Sequence, residues 1–76
     1  MLPVLRLAPQ PALAGQWESG IPSDVQRVEW LDALGRVARR EELVVNGAVR
    51  APEAPGMWLL RSYHAGGVRT TKVTVR

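Results

Sequence analysis

The chain has 76 residues, enough for one domain with a core of modest size. Hydrophobic residues make up 46% and charged residues 22%, a balance that argues against disorder. Cysteine is absent, which excludes a disulfide framework and Cys-ligated zinc. The net charge of +3 is spread along the chain and mixed with acids, so the sequence does not predict the single basic face of a nucleic-acid-binding protein. No apolar run approaches the roughly 18 residues of a membrane-spanning helix.

The first part of the chain predicts two short strands. Residues 4–8 alternate weakly in polarity, and Pro9 and Pro11 end this strand because proline removes a donor from the ladder. Residues 16–19 form a weaker strand candidate. The chain opens directly into strand-like sequence, so we expect it to be one domain, 1–76, excised from a larger protein.

Residues 25–32 predict a strong strand, with Val28 and Trp30 on one face. A tight turn containing Gly35 follows, and residues 37–45 form the return strand. One helix across both segments is the competing interpretation. A glycine in the middle of that helix disfavours it, as does the β-branched end of the second segment.

The second half alternates between turn and strand signals. The Asn-Gly pair at 46–47 predicts a two-residue turn, and residues 48–50 form a short strand that ends at prolines. Residues 56–63 are the most apolar strand, as expected for a central one. The Gly-Gly pair at 66–67 closes a hairpin, and residues 68–76 alternate cleanly between two faces.

Six or seven short strands, with turn signals about every ten residues, predict an all-β fold. We expect an immunoglobulin-like β-sandwich, with a small barrel as the alternative. Trp30 and Trp58 lie in apolar strands, which indicates core packing. Trp17 lies in a polar segment and is the one aromatic residue suited to stacking on a carbohydrate or a base.

Catalytic chemistry is poorly supported, and we predict no catalytic, cofactor-binding or metal-binding residue. His64 is the only histidine, and its place beside a glycine hairpin predicts an exposed strand end. A Ser-His-Asp set can be written from Ser19 or Ser62 with His64 and Asp24. Ser62 is only two residues from the histidine, however, and no nucleophile-elbow context surrounds it. We therefore predict that the chain is not an enzyme.

Four short motifs follow one another along the chain. They are LRLAPQPA at 5–12, VEWLDALGR at 28–36, PGMWLLR at 55–61 and TKVTVR at 71–76. In this order they resemble the C-terminal sorting domain of type IX secretion cargo, a family of small β-sandwich modules. Gln10 replaces the asparagine of the family's Pro-Asn-Pro turn, and Trp58 stands where tyrosine is usual. The motif residues that the resemblance implies are Pro9, Pro11, Asp32, Gly35, Arg36, Pro55, Gly56 and Trp58.

The resemblance implies a signal without catalysis. Such a domain directs its cargo from the periplasm of a Gram-negative bacterium through an outer-membrane translocon to the cell surface or the medium. A sortase-like peptidase then removes the domain, and the cargo is attached at the surface. The expected partners are therefore the translocon's barrel or receptor and this peptidase, with no cofactor, nucleic acid or small-molecule substrate. We expect a monomer.

The final strand is the part that a receptor would read, through backbone pairing with alternate side chains in pockets. The predicted recognition residues are Arg69, Thr71, Lys72, Val73, Val75 and Arg76. The threonine and the two valines would supply an apolar readout, and the three basic residues would steer by charge. The alternative function is an immunoglobulin-like accessory or carbohydrate-binding module of a secreted protein, acting through Trp17.

Overall fold

A computed structural model shows an all-β chain of six strands. It describes residues 7, 10–25, 27–42 and 44–76, and the side chains of all of these except 39–42. The strands are β1 (Trp17–Ser19), β2 (Arg27–Leu31), β3 (Val37–Glu42), β4 (Ala48–Arg50), β5 (Gly56–His64) and β6 (Gly67–Val75). The predicted opening strand at 4–8 lies outside the described residues except for Leu7, which is buried. Pro9 also lies outside them.

The strands form two antiparallel sheets that pack as a small β-sandwich. The larger has the order β3-β2-β5-β6, and the smaller pairs β1 with β4. The predicted β-sandwich is therefore confirmed, and so is the central position of β5. The helix considered for residues 25–43 is wrong, because β2 and β3 occupy that region. In the described part of the chain, no helix has the length and apolar character needed to cross a membrane.

The Asn46-Gly47 turn carries the chain from one sheet to the other. Both residues have positive φ, 51° and 73°, and Val45 and Ala48 exchange two backbone hydrogen bonds of 2.9 Å across the turn. A Cβ at Gly47 would lie 3.1 Å from the carbonyl oxygen of Ile21, so glycine is needed for space as well as for conformation. The strands on either side then pair with different partners, β3 with β2 and β4 with β1.

The turn between β2 and β3 is held by its own first residue. Asp32 Oδ1 accepts hydrogen bonds of 2.9 Å from the backbone N–H groups of Leu34 and Arg36, and Oδ2 accepts one of 2.8 Å from Arg36 Nε. These donors, first of all the Arg36 backbone, hold the pKa of Asp32 below its ordinary value. Gly35 has a φ of 85°, as predicted for this position. The Asp-x-x-Gly-Arg motif therefore closes this turn.

Trp30 fastens the two sheets together. Its side chain is completely buried, and its indole N–H donates a 3.0 Å hydrogen bond to the carbonyl oxygen of Arg50 in β4. Aliphatic residues of both sheets and their connections surround it. The buried hydrophobic residues that pack with it are Leu7, Ala12, Ile21, Val28, Val49, Ala51, Leu60, Val73 and Val75. The core thus packs around the indole of Trp30, whose only polar atom, Nε1, has a hydrogen-bond acceptor.

Glu18 is a carboxylate on the buried side of β1. It is only 1% exposed, and Oε1 accepts a long hydrogen bond of 3.4 Å from the side-chain amide of Gln10. Oε2 is buried and has no hydrogen-bond partner. Removal from water disfavours the charged form, so burial raises the pKa of this carboxyl group.

We predict that Trp30→Phe destabilises the domain by about 2–4 kcal/mol, because it removes the hydrogen bond from the indole to the Arg50 carbonyl and leaves the core underfilled. Urea unfolding followed by circular dichroism measures this loss. Trp17→Phe is the matched control, since Trp17 is 50% exposed, and we expect it to change the free energy of unfolding by less than about 0.5 kcal/mol. Equal effects of the two substitutions would show that the indole of Trp30 does not hold the sheets together.

Glu18 makes stability depend on pH. Its folded-state pKa is raised, so its contribution to stability is complete below the ordinary carboxyl pKa and is lost as the pH rises through the raised value. We expect Glu18→Gln, which cannot ionise, to raise the free energy of unfolding at pH 7 by about 1 kcal/mol and to change it little at pH 4. Urea unfolding at the two pH values is the measurement. An equal gain at both would show that ionisation of Glu18 plays no part.

Candidate functional site: the edge strand β6

The strand that sequence analysis singles out for recognition lies at one edge of the larger sheet. β6 pairs with β5 in an unbroken antiparallel register from Gly56↔Val75 to His64↔Gly67. The hairpin predicted around the Gly-Gly pair is confirmed, with a φ of 138° at Gly67. One side of β6 is therefore fully paired, and its other side faces away from the sheet.

Side chains of β6 alternate as predicted, but the apolar ones are not available to a partner. Val73 and Val75 are 1% and 2% exposed and belong to the core, and Thr71 on the same side is half-buried. The exposed side chains of the strand's second half are those of Lys72 and Thr74. In the folded domain Val73 and Val75 hold the strand in place, and the exposed side chains lie on the opposite face. The readout of the two valines by a receptor remains a prediction.

The basic residues of this region do not form one patch. Arg69 is half-buried on the core side of β6, and Lys72 is exposed on the opposite side. Arg76 follows the strand and is exposed. Because successive residues of a strand point to opposite faces, charge steering in the folded domain is left to Lys72 and Arg76.

The outer edge of β6 is capped at one end. The backbone of Ala12 runs parallel to it, donating to the Thr74 carbonyl and accepting from the Arg76 N–H, both at 2.8 Å. In a regular strand alternate residues direct both backbone groups to the same edge, so Thr70 and Lys72 also point outward. No described residue pairs with the backbone of these two on that side. Within residues 7, 10–25, 27–42 and 44–76, the outer backbone groups of Thr70 and Lys72 thus have no strand beside them.

The two edges of the larger sheet differ in regularity. At the opposite edge, the register of β3 against β2 shifts twice, between Val28 and Trp30 and between Trp30 and Leu31. Such irregularities bend an edge and discourage further pairing. The nine residues of β6 contain no such shift. Of the two edges, β6 is the one suited to accept an added strand.

Motif residues from distant parts of the sequence meet at the end of β6. Pro11 directly precedes the capping residue Ala12. Gly56, with a φ of 135°, pairs with Val75, and Trp58 pairs with Val73. The exposed Pro55 precedes this start of β5. Three of the four motifs thus contact one another here, while Asp32, Gly35 and Arg36 close their own turn.

The structure also brings together Ser62, His64 and Asp24. Ser62 Oγ lies 2.8 Å from His64 Nε2, and His64 Nδ1 lies 3.7 Å from Asp24 Oδ1. The prediction that His64 is exposed is wrong, because it is only 6% exposed and Ser62 is fully buried. Leu60, Ser62 and His64 lie on the same side of β5, facing the core, because they are spaced two residues apart. This spacing was the signal in the sequence that His64 is buried.

This cluster works as a structural tie in the folded chain. Ser62 Oγ lies 3.2 Å from the carbonyl oxygen of Arg69 and shares a second hydrogen bond of 2.8 Å with His64 Nε2. Ser62 is fully buried, so its hydroxyl is not accessible to a substrate in the folded domain. Within the described ranges, no group of three or more acidic or histidine side chains could hold a metal ion.

We predict that Ser62→Ala lowers the free energy of unfolding by about 1–3 kcal/mol, because it leaves His64 Nε2 buried without a partner. Thr70→Ala, an exposed change in the facing strand, serves as the control and should cost less than about 0.5 kcal/mol. Thermal and urea unfolding measure both. Covalent labelling of Ser62 by a fluorophosphonate would contradict the structural role, because only an accessible, activated serine reacts.

Comparison with known proteins gives no further guide. No protein-family model, curated protein or solved structure matches this chain.

Proposed function

We propose that this chain is a C-terminal sorting domain of type IX secretion cargo, a non-catalytic signal that directs a passenger protein across the outer membrane. The observation that carries the proposal is the regular edge of β6, the strand that resembles the family's terminal strand; at Thr70 and Lys72 no described residue pairs with its outer side. The order of the four motifs along the sequence supports the same assignment.

In this proposal, a translocon component adds a strand to the outer edge of β6. Backbone groups of Thr70 and Lys72 supply the hydrogen bonds, and main-chain pairing of this kind gives affinity without a deep pocket. The Lys72 side chain contributes charge on the exposed face. Val73 and Val75 keep the edge straight by anchoring the other face in the core.

The remaining steps concern partners rather than the chemistry of this chain. The domain travels with its cargo through the periplasm, and a sortase-like peptidase removes it at the cell surface. The chain supplies no catalytic group to either step. Its two partners in the proposal are the receptor or barrel of the translocon and the peptidase.

A second candidate is an accessory module that binds carbohydrate through Trp17. This side chain is 50% exposed on the outward side of β1, directly across from Arg50. An exposed indole next to a cation suits stacking on a sugar ring. Saturable glycan binding that is lost in Trp17→Ala, together with failure of the secretion test below, would favour this function.

The proposal predicts secretion of a reporter. Residues 1–76 would be fused behind a periplasm-targeted fluorescent protein in a host with a type IX system. Lys72→Pro removes the outward N–H without removing a hydrogen bond to β5, and Lys72→Ala keeps that N–H but removes the charge. We expect the parent fusion and Lys72→Ala to reach the surface. Lys72→Pro should lower the secreted fraction at least about tenfold, which corresponds to a loss of roughly 1.4 kcal/mol in the free energy of binding to the receptor.

Circular dichroism and thermal unfolding of the purified domains would show that Lys72→Pro still folds. Retention of the folded parent fusion in the periplasm would overturn the sorting function. Equal secretion of the parent and the proline variant would leave sorting intact but refute recognition through the edge of β6.

A further inference from the structure

A groove of about 410 Å³ opens beside the start of β5, away from the strand addition proposed at β6. Its lining residues are Ala38, Pro52, Glu53, Ala54 and Trp58. The volume lies in the range of roughly 300–1,000 Å³ that is usual for ligand sites. On a chain this small it is a substantial feature.

The walls of the groove are fixed before any ligand arrives. The indole N–H of Trp58 donates a 2.9 Å hydrogen bond to the carbonyl oxygen of Ala54, which locks the ring against its own loop. Part of the same ring packs on the core. Pro52 is buried and has a rigid backbone. A ligand would therefore meet a prepared aromatic face and would not have to order a loop.

The groove carries an acidic side chain. Among the lining residues whose side chains the structure describes, Glu53 is the charged one, and its carboxylate is exposed. No described cation forms an ion pair with it. The chain as a whole carries a net charge of +3, so this carboxylate is a local exception. The indole N–H is already used, which leaves the π-face and the carboxylate as the two recognition elements.

We infer that this groove binds the guanidinium group of an arginine side chain presented by a partner polypeptide. A planar cation can stack on the indole of Trp58 while its N–H groups donate to the Glu53 carboxylate. The apolar walls formed by Ala38, Pro52 and Ala54 suit the methylene stem of the same side chain. Arginine is favoured over lysine because a compact ammonium cannot stack and form a bidentate pair at once.

Titration of the folded domain with N-acetyl-arginine methylamide, followed by ¹H–¹⁵N spectra, tests the inference. The indole N–H signal of Trp58 should shift saturably, with a dissociation constant on the order of 10 mM. The indole signals of Trp17 and Trp30 should stay in place as internal controls. The lysine analogue should bind at least about threefold more weakly.

Glu53→Gln is the decisive variant, because the residue is exposed and the substitution preserves its shape. It should weaken arginine binding about fivefold, with an otherwise unchanged amide spectrum that shows the fold is intact. No saturable shift of Trp58 up to about 100 mM would overturn the inference. An undiminished shift in Glu53→Gln, or a shift with N-acetylglucosamine but none with the arginine probe, would do so as well. The arginine titration and the Glu53→Gln variant leave Lys72 and the edge of β6 unchanged. Their outcomes are therefore independent of the secretion assay.

Discussion

The fold depends on one buried indole that serves both sheets. Trp30 fills the centre of the core, and its N–H satisfies the Arg50 carbonyl in the smaller sheet. β1 and β4 have only three residues each, and a two-stranded ribbon of that length is not stable alone. The smaller sheet therefore exists because the larger one supplies an apolar face and a hydrogen-bond donor at the right depth.

Local chemistry was enough to predict the turns and the approximate positions of β1 to β6, although β3 ends at Glu42 and not at residue 45 as predicted. The turns at 46–47 and at Gly35 need residues that adopt positive φ. The Asp32 carboxylate accepts hydrogen bonds from the backbone of its own turn. The residues that determine each turn therefore lie within a few positions of one another in the sequence. Clean alternation in β6 likewise reveals which residues share a face. These features survive in the structure because no distant contact competes with them.

Long-range placement was less accessible from the sequence. His64 lies 3.7 Å from Asp24, which is distant in sequence, and the burial of Glu18 depends on which sheet receives β1. Neither is encoded by neighbouring residues. The burial of Val73 and Val75 was inaccessible for a related reason: alternation identifies an apolar face but does not say whether a receptor or the core covers it. The groove beside Trp58 has no linear signature, because β3, β5 and a loop each supply part of its wall.

The parallel contact between Ala12 and the end of β6 has a mechanical consequence. The polypeptide that runs into Ala12 is fastened by hydrogen bonds to Thr74 and Arg76, at the end of the strand proposed for recognition. Leu7, which precedes Ala12 in the chain, is buried in the core, so tension on the chain ahead of Pro11 would load the core and the end of β6 together. If the sorting proposal holds, a pull on an attached passenger would act on the same hydrogen bonds that close one end of the recognition edge.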